Sequence, residues 1–219
     1  VTNSPTPQPP TVGSITIVPV ANAVRPGAEF TVNVVYNVNQ PVSGVAASLS
    51  FDHNLLQIVS VTKGIGLPGS LIYSAIEGGD VQDINNTKTK SGAGAIPVAN
   101  SYGFVTNLTI LAAPPTSLPA GEKVYATIKM VAKTGVSGIA KFGLVRSEIT
   151  EYPSGTIAQA TLTGTQVEVA ASAPIVPLGL PVAGGPVARD GFGDWVLVLG
   201  GAVLAAAGFI AFRTSRRPS

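Results

Sequence analysis

The chain has 219 residues, with 13 Lys and Arg against 11 Asp and Glu, one His and no Cys. The lack of Cys excludes disulfides and thiolate metal sites, and a single His excludes a histidine-based zinc triad. Three basic residues lie in the tail, so residues 1–194 carry ten basic and eleven acidic side chains, a net charge of −1 that gives no argument for nucleic-acid binding.

The N-terminal residues 1–13, VTNSPTPQPPTVG, hold four prolines. This composition predicts an extended, solvated arm ahead of the first folded element. No apolar leader precedes Val1. We therefore expect either that an export signal has been cleaved or that the sequence is a piece of a longer chain.

Residues 14–170 alternate apolar and polar side chains with period two, separated by Gly and Pro turns. Residues 123–130 are an example. Lys123, Tyr125, Thr127 and Lys129 are expected on the solvent-facing side of a strand, and the residues that alternate with them, from Val124 onward, are expected on its core-facing side. The pattern predicts an all-β fold, a jelly-roll or immunoglobulin-like β-sandwich of about nine strands. The expected strands are 14–20, 30–37, 45–51, 56–61, 71–76, 81–84, 103–112, 123–131, 138–145 and 162–169.

A stalk and a membrane anchor are predicted after the sandwich. Residues 171–194 are rich in Pro, Gly and Ala, whereas residues 195–212, WVLVLGGAVLAAAGFIAF, contain no charge. Eighteen helical residues just span a bilayer core, although a buried core helix is the alternative. Trp195 suits the headgroup zone, and Arg213, Arg216 and Arg217 place the tail, 213–219, in the cytoplasm. We expect a single-pass cell-membrane protein with its N-terminal domain outside.

A second kind of anchoring is suggested by residues 180–184, LPVAG. They resemble the sortase signal Leu-Pro-x-Thr-Gly, with Ala183 at the threonine position. A permanent helix is the preferred interpretation. Small residues at Gly200, Gly201 and 205–208 are suited to packing against another membrane subunit, and the alternative is that they face lipid.

Chemistry-bearing side chains are few, and we predict neither an enzyme nor a resident cofactor. His53 is interpreted as a turn residue beside Asp52. The loop residues Glu77, Asp80 and Asp83 form a weak candidate Ca²⁺ site, since Ca²⁺ prefers several oxygen ligands. Asn85 and Asn107 begin Asn-x-Thr glycosylation sequons, with Asn107 expected inside a strand.

The order of these signals resembles the cohesin family. The matching stretches are VRPGAEFTVNV (24–34), GVAASLSFDHNLLQIVSVTK (44–63), AGEKVYATIKM (120–130) and the final QVEV (166–169). The resemblance implies a β-sandwich over 14–170 that captures a dockerin-like protein or, by the wider superfamily, a polysaccharide. It also implies a partner face at Ala46, Ser48 and Ser50, although these positions often carry polar or acidic groups in the family. His53 departs from the family's usual proline.

We therefore expect a membrane-anchored extracellular binding module. A structural subunit of a surface layer, filament or membrane complex is the alternative. A protein partner is preferred over polysaccharide because Trp195, the one tryptophan, lies in the predicted anchor, and sugar-binding platforms usually expose aromatic faces.

Overall fold

Alternating side chains build twelve strands in the residues that the structure, a computed structural model, describes, namely 11–78 and 88–174. These residues lie within one compact unit, Val1–Gly184. Besides the strands there are a short 3-10 helix, Gly92–Gly94, and one α-helix, α1 (Ala95–Tyr102). The strands are β1 (Thr11–Pro19), β2 (Ala23–Val24), β3 (Glu29–Val38), β4 (Val42–Phe51), β5 (Leu56–Lys63), β6 (Ser70–Ile76), β7 (Thr89–Ser91), β8 (Phe104–Leu111), β9 (Gly121–Ala132), β10 (Gly138–Glu151), β11 (Ile157–Thr163) and β12 (Thr165–Val169).

The strands form two layers joined along one side. Neighbouring strands follow the order β5-β9-β3-β1-β11-β10-β4-β8-β6-β7, and β12 pairs with β10 and β2. β1 pairs antiparallel with β3 and parallel with β11, whereas β11 pairs antiparallel with β10. This arrangement confirms the predicted all-β sandwich.

The core lies between the two layers and is filled from alternate positions of each strand. Val32 and Val34 of β3 and Leu49 of β4 are fully buried. One face of every central strand is buried, so alternate residues of each strand are apolar. The period-two pattern in the sequence therefore predicts which residues form this core. Other fully buried large side chains are Ile15, Leu56, Leu108, Ile110, Leu118, Ile128, Met130 and Ile149.

Two tyrosines are buried in the core, and the expectation that Tyr125 lies on a wet face is wrong. β3 and β9 lose register between Val34 and Val35, where Tyr125 is the extra residue of a β-bulge, and the bulge turns its side chain inward. Its ring centroid lies 6.2 Å from that of Tyr36. The Tyr36 hydroxyl donates to the Pro119 carbonyl at 3.0 Å, and the Tyr125 hydroxyl donates to the Leu108 carbonyl at 3.4 Å. Burial raises the pKa of Tyr36 to about 12 and raises the pKa of Tyr125 as well.

β11 leaves one layer for the other, and the hydroxyl of Ser147 supports this transfer. The β10–β11 ladder contains only Ile149–Ala158 and Thr150–Ile157. Beyond it, Ser147 Oγ donates to the Ala160 carbonyl and accepts from the Ala160 N–H, both at 3.1 Å. Ser147 is 2% exposed, so its hydroxyl replaces a backbone bond where water has little access.

Several element boundaries differ from the sequence predictions. β1 already begins at Thr11, inside the predicted arm. The expected strand 162–169 is two strands, β11 and β12, separated at Gly164, where a Cβ would lie 2.5 Å from the Phe142 carbonyl oxygen. The expected strand 81–84 lies outside the described residues.

Helix α1 is short and was not predicted. Pro97 occupies its first turn, where a missing N–H is tolerated, and Gly103 ends it with φ of 69°. Across the described ranges, no helix has both the length and the apolar character needed to cross a bilayer. The predicted anchor, 195–212, lies outside those ranges.

We expect the two buried tyrosines to make the fold sensitive to alkali. The unfolded chain releases tyrosine protons near pH 10, whereas Tyr36 keeps its proton until about pH 12. Stability is therefore full below pH 10 and is lost as the pH rises through 12, by up to about 1.4 kcal/mol per pH unit for one group. Urea unfolding between pH 9 and 12 should give a shallower loss for Tyr36→Phe and for Tyr125→Phe. Tyr102→Phe, which changes an exposed tyrosine, should keep the wild-type slope.

Replacing Ser147 with Ala should destabilise the fold by about 1–3 kcal/mol, because the Ala160 N–H and C=O then lack a buried partner. Ser137→Ala, in the exposed β9–β10 turn, is the matched control and should change the free energy of unfolding by less than about 0.5 kcal/mol. Chemical denaturation measures both. Equal effects of the two substitutions would contradict the bridging role of Ser147.

Candidate functional site

The outer face of the β10-β4-β8-β6 layer contains a shallow trough along β4. Its floor consists of Gly44, Ala46, Ser48 and Ser50, which alternate with the core residues of β4 and point to the opposite side. Because β4 is hydrogen-bonded to β10 on one side and β8 on the other, this floor has no free backbone edge. The trough is therefore a surface of small side chains on a fixed backbone.

The neighbouring strands form the two walls of the trough. On the β8 side, Leu111 lies opposite Gly44, and Ile72 of β6 lies opposite Thr109; Leu111 is 46% exposed and Ile72 is 44% exposed. A Cβ at Gly44 would meet Leu111 Cδ2 at 2.6 Å, so the leucine side chain leans across the glycine. This wall exposes two large apolar side chains to solvent, beside a floor that holds small ones.

The β10 wall combines one apolar side chain with an ion pair. A bulge between Leu144 and Arg146 leaves Val145 out of register and 61% exposed. Arg146 lies opposite Ser48 and binds the carboxylate of Glu148, which lies opposite Ala46. Arg146 is exposed and Glu148 is half-buried, so solvent screens the pair and its contribution to the stability of the fold is small. The pair places a guanidinium and a carboxylate side by side along the trough.

Hydroxyl groups hold the middle of the trough. Ser48 Oγ donates to the Thr106 carbonyl at 2.5 Å, and Thr106 Oγ1 donates to the Ser74 carbonyl at 3.1 Å. Thr106 occupies a bulge in β8, between Val105 and Leu108 in the ladder to β4. Ser48 is 5% exposed. The trough therefore offers a partner shape and apolar contact more than free hydroxyls.

Of the three predicted partner-face residues, Ala46 and Ser50 are half-buried and Ser48 is buried. All three lie on the same side of β4, away from the core, and that they contact a partner stays a prediction. Sequence reasoning missed the walls. Ile72 and Leu111 are recognisable only once the register of β6 and β8 against β4 is known.

The corner after β4 is built by Asp52. Its carboxylate Oδ1 accepts from the Asn54 N–H at 3.0 Å, and its carbonyl accepts from the Leu56 N–H at 2.9 Å. His53 is half-buried, and a Cβ at Gly103 would lie 2.8 Å from its Nδ1. The imidazole therefore packs against a glycine, consistent with the interpretation of His53 as a turn residue.

The described residues give no further support for the candidate Ca²⁺ site or for the two glycosylation sequons. Glu77 pairs with Lys90 at 3.5 Å. Asp80, Asp83 and Asn85 lie outside the described residues. Within residues 11–78 and 88–174, no three His, Asp or Glu side chains are grouped closely enough to hold a metal. Asn107 lies inside β8 as expected, where its side-chain oxygen accepts from the hydroxyl of Thr109, the third residue of the same sequon.

The predicted anchor residues Trp195, Arg213, Arg216 and Arg217, and the motif at 180–184, also lie outside the described ranges. The membrane anchor and the sortase signal therefore stay predictions.

Comparison with known proteins finds similar folds among solved structures but no match at the level of sequence families. No family model matches the chain, and no curated protein matches it either. Among solved structures, the chain is similar to the cohesin module of a Clostridium perfringens family 33 glycoside hydrolase, at 12% identity and a TM-score of 0.51, over 73% of this chain and 98% of that one.

Two further solved structures are similar and include a dockerin. One is the sixth cohesin of scaffoldin B from Acetivibrio cellulolyticus in complex with a dockerin, at 15% identity and a TM-score of 0.50, covering 73% of this chain and 100% of that one. The other is a type I cohesin–dockerin complex from Clostridium thermocellum, at 11% identity and a TM-score of 0.52, covering 76% and 98%. The described domain therefore has a cohesin-like fold. At these identities the likeness defines the fold alone, and function has to be argued from the site.

Proposed function

We propose that the chain is a protein-binding module whose trough along β4 receives one helix of a dockerin-like partner. The observation that carries this proposal is the floor of Gly44, Ala46, Ser48 and Ser50, which is flanked by larger side chains, Leu111 and Phe104 on β8 and Arg146 and Glu148 on β10. β8 and β10 flank β4, so Leu111 and the β10 wall are about 9–10 Å apart at the ordinary strand spacing, and Ile72 of β6 lies one strand farther out. An α-helix with its side chains is about 10–12 Å across, so one face of a helix can rest on the small residues of the floor.

The chemistry of the walls favours a mixed apolar and polar helix face. Leu111, Ile72 and Val145 offer apolar contact, and the Arg146–Glu148 pair offers both a donor and an acceptor of hydrogen bonds. Burial of the three exposed apolar side chains supplies affinity, whereas the charged pair fixes orientation. Two of the similar solved structures contain a dockerin, which supports this class of partner.

A polysaccharide is the less favoured ligand. On the described outer face, the aromatic side chain is Phe104, opposite Ser50, and it is half-buried. Sugar rings stack on open aromatic faces, so the trough lacks the platform that a polysaccharide needs.

We further propose that residues 195–212 anchor the module in the cell membrane, with the sandwich outside and the tail inside. The support is the uncharged run of eighteen residues followed by Arg213, Arg216 and Arg217. Tethering would hold captured partners at the surface and raise their local concentration.

Filling the trough should abolish capture. Ala46→Arg places a guanidinium beside Glu148 at the middle of the floor, where it stays solvated but blocks a helix. We expect at least about a hundredfold loss of affinity for the bound protein. The measurement is surface plasmon resonance of the immobilised chain against a panel of dockerin domains and secreted proteins, with insoluble polysaccharides tested in parallel.

Asn37→Arg is the matched control, because Asn37 is exposed on β3 in the other layer. It should bind as the wild type does. Binding that survives Ala46→Arg but is lost in Asn37→Arg would assign the partner to the opposite layer, and retention on polysaccharide alone would overturn the protein-capture proposal.

The anchor is tested separately. The full chain should sediment with membranes and resist an alkaline carbonate wash, and deletion of residues 195–219 should release it into the soluble fraction. Protease added to intact cells should degrade the sandwich while sparing the tail. A full chain that washes off the membrane, or a sandwich protected in intact cells, would contradict this topology.

A further inference from the structure

One side of the sandwich is joined by β11, and the other is covered by α1. β5 is the terminal strand of its layer. The helix packs across β5 and against β6 of the other layer, with Ala95 and Ala99 buried. Small alanines let the helix approach both strands closely. The apolar contact is lined by Ile58, Val61, Tyr73, Ala95, Ala99 and Val105.

Asn100 of α1 makes two hydrogen bonds to one residue of this edge strand. The Ile58 N–H donates to Asn100 Oδ1 at 2.7 Å, and Asn100 Nδ2 donates to the Ile58 carbonyl at 2.9 Å. A side-chain amide presents one acceptor and one donor side by side, as the backbone of a neighbouring strand does. Asn100 therefore occupies the position of a missing strand at Ile58.

The sequence of β5 explains why such a cover matters. LQIVSVTK is rich in β-branched residues and carries one charge, Lys63, at its end. Edge strands are normally protected by charges, prolines, bulges or very short length. β5 has a bulge at Val59, but an edge without charges along its length still invites pairing with another chain. Val59, 42% exposed beside Ile58, adds apolar surface to the same edge.

We propose that Asn100 seals the β5 edge against strand addition by a second copy of this chain. The seal acts by using both outward backbone groups of Ile58, so that an incoming β5 strand finds no donor and no acceptor there. Two copies of β5 are the natural pair once the seal is lost and α1 moves off the edge, because a strand whose single charge is its terminal Lys63 then meets its identical counterpart in antiparallel register. This role is separate from the trough, which lies on the outer face of the other layer.

The test compares the full chain with Asn100→Leu, purified in the same mild detergent. Leucine keeps the size of the side chain and removes both hydrogen bonds. We expect amide exchange at Ile58 to accelerate by about tenfold. We also expect concentration-dependent dimerisation in sedimentation velocity, with amides of Leu56–Lys63 regaining protection as the dimer forms.

Ser101→Ala is the matched control on the same helix, since the Ser101 hydroxyl only donates to the Pro97 carbonyl of its own turn. It should behave as the wild type in both measurements. Unchanged exchange and an unchanged association state in Asn100→Leu would overturn the proposal, as would a dimer whose protected amides lie outside β5.

Asn100→Asp provides a second test of the proposal if the leucine variant fails to fold. A carboxylate still accepts from the Ile58 N–H but repels the Ile58 carbonyl, so this variant should dimerise at neutral pH. Protonation restores a donor, and desolvation raises the pKa of such an acid, so dimerisation should reverse as the pH falls toward about 4. Association that is independent of pH in this range would contradict the seal.

Discussion

A stack of two sheets has two open sides, and the architecture of this domain depends on how each side is closed. On one side β11 pairs with β10 over two residues and then with β1 of the other layer. A strand cannot pair fully with both neighbours at the point of transfer, so backbone groups there need another partner. Ser147 supplies it with one buried hydroxyl that both donates to and accepts from Ala160. The opposite side is closed by a helix, and there the edge backbone is met by the side chain of Asn100.

Because both sides are closed in this way, the side chains on the outer face of the second layer are not needed to protect a sheet edge. β4 lies between β10 and β8, so its backbone is fully engaged and its outward side chains can be small without exposing a sheet edge. Ser48 and Thr106 fill the bulge in β8 with hydrogen bonds, so the floor is rigid as well as flat. A rigid floor lowers the entropic cost of receiving a partner, and raised apolar walls then supply contact area. The trough therefore follows from the position of β4 at the centre of its layer.

The sequence predicted the regular part of this structure because burial on one face imposes a period of two. The strands at 30–37 and 45–51 correspond closely to β3 and β4, and the corner at Asp52 was visible as a turn signal. The period-two pattern could not predict the positions of the β-bulges. One extra residue reverses the face of Tyr125, and another pushes Val145 out to solvent. The sequence shows only adjacent apolar residues at these points, Val124–Tyr125–Ala126 and Leu144–Val145, and does not indicate which of them is the extra one.

Long-range partners were invisible for a different reason. α1 has the sequence AIPVANSY, which is too short for a helical pattern to be recognised and contains Pro97, a residue that usually indicates a turn. Its defining contact joins Asn100 to Ile58, forty-two positions earlier in the chain. Nothing near Asn100 in the sequence indicates that its amide completes a sheet edge, just as nothing near Ser147 indicates a transfer between layers. Local pattern specifies which face of a strand is dry, whereas the closure of a sandwich is decided by single polar side chains whose partners only the assembled fold provides.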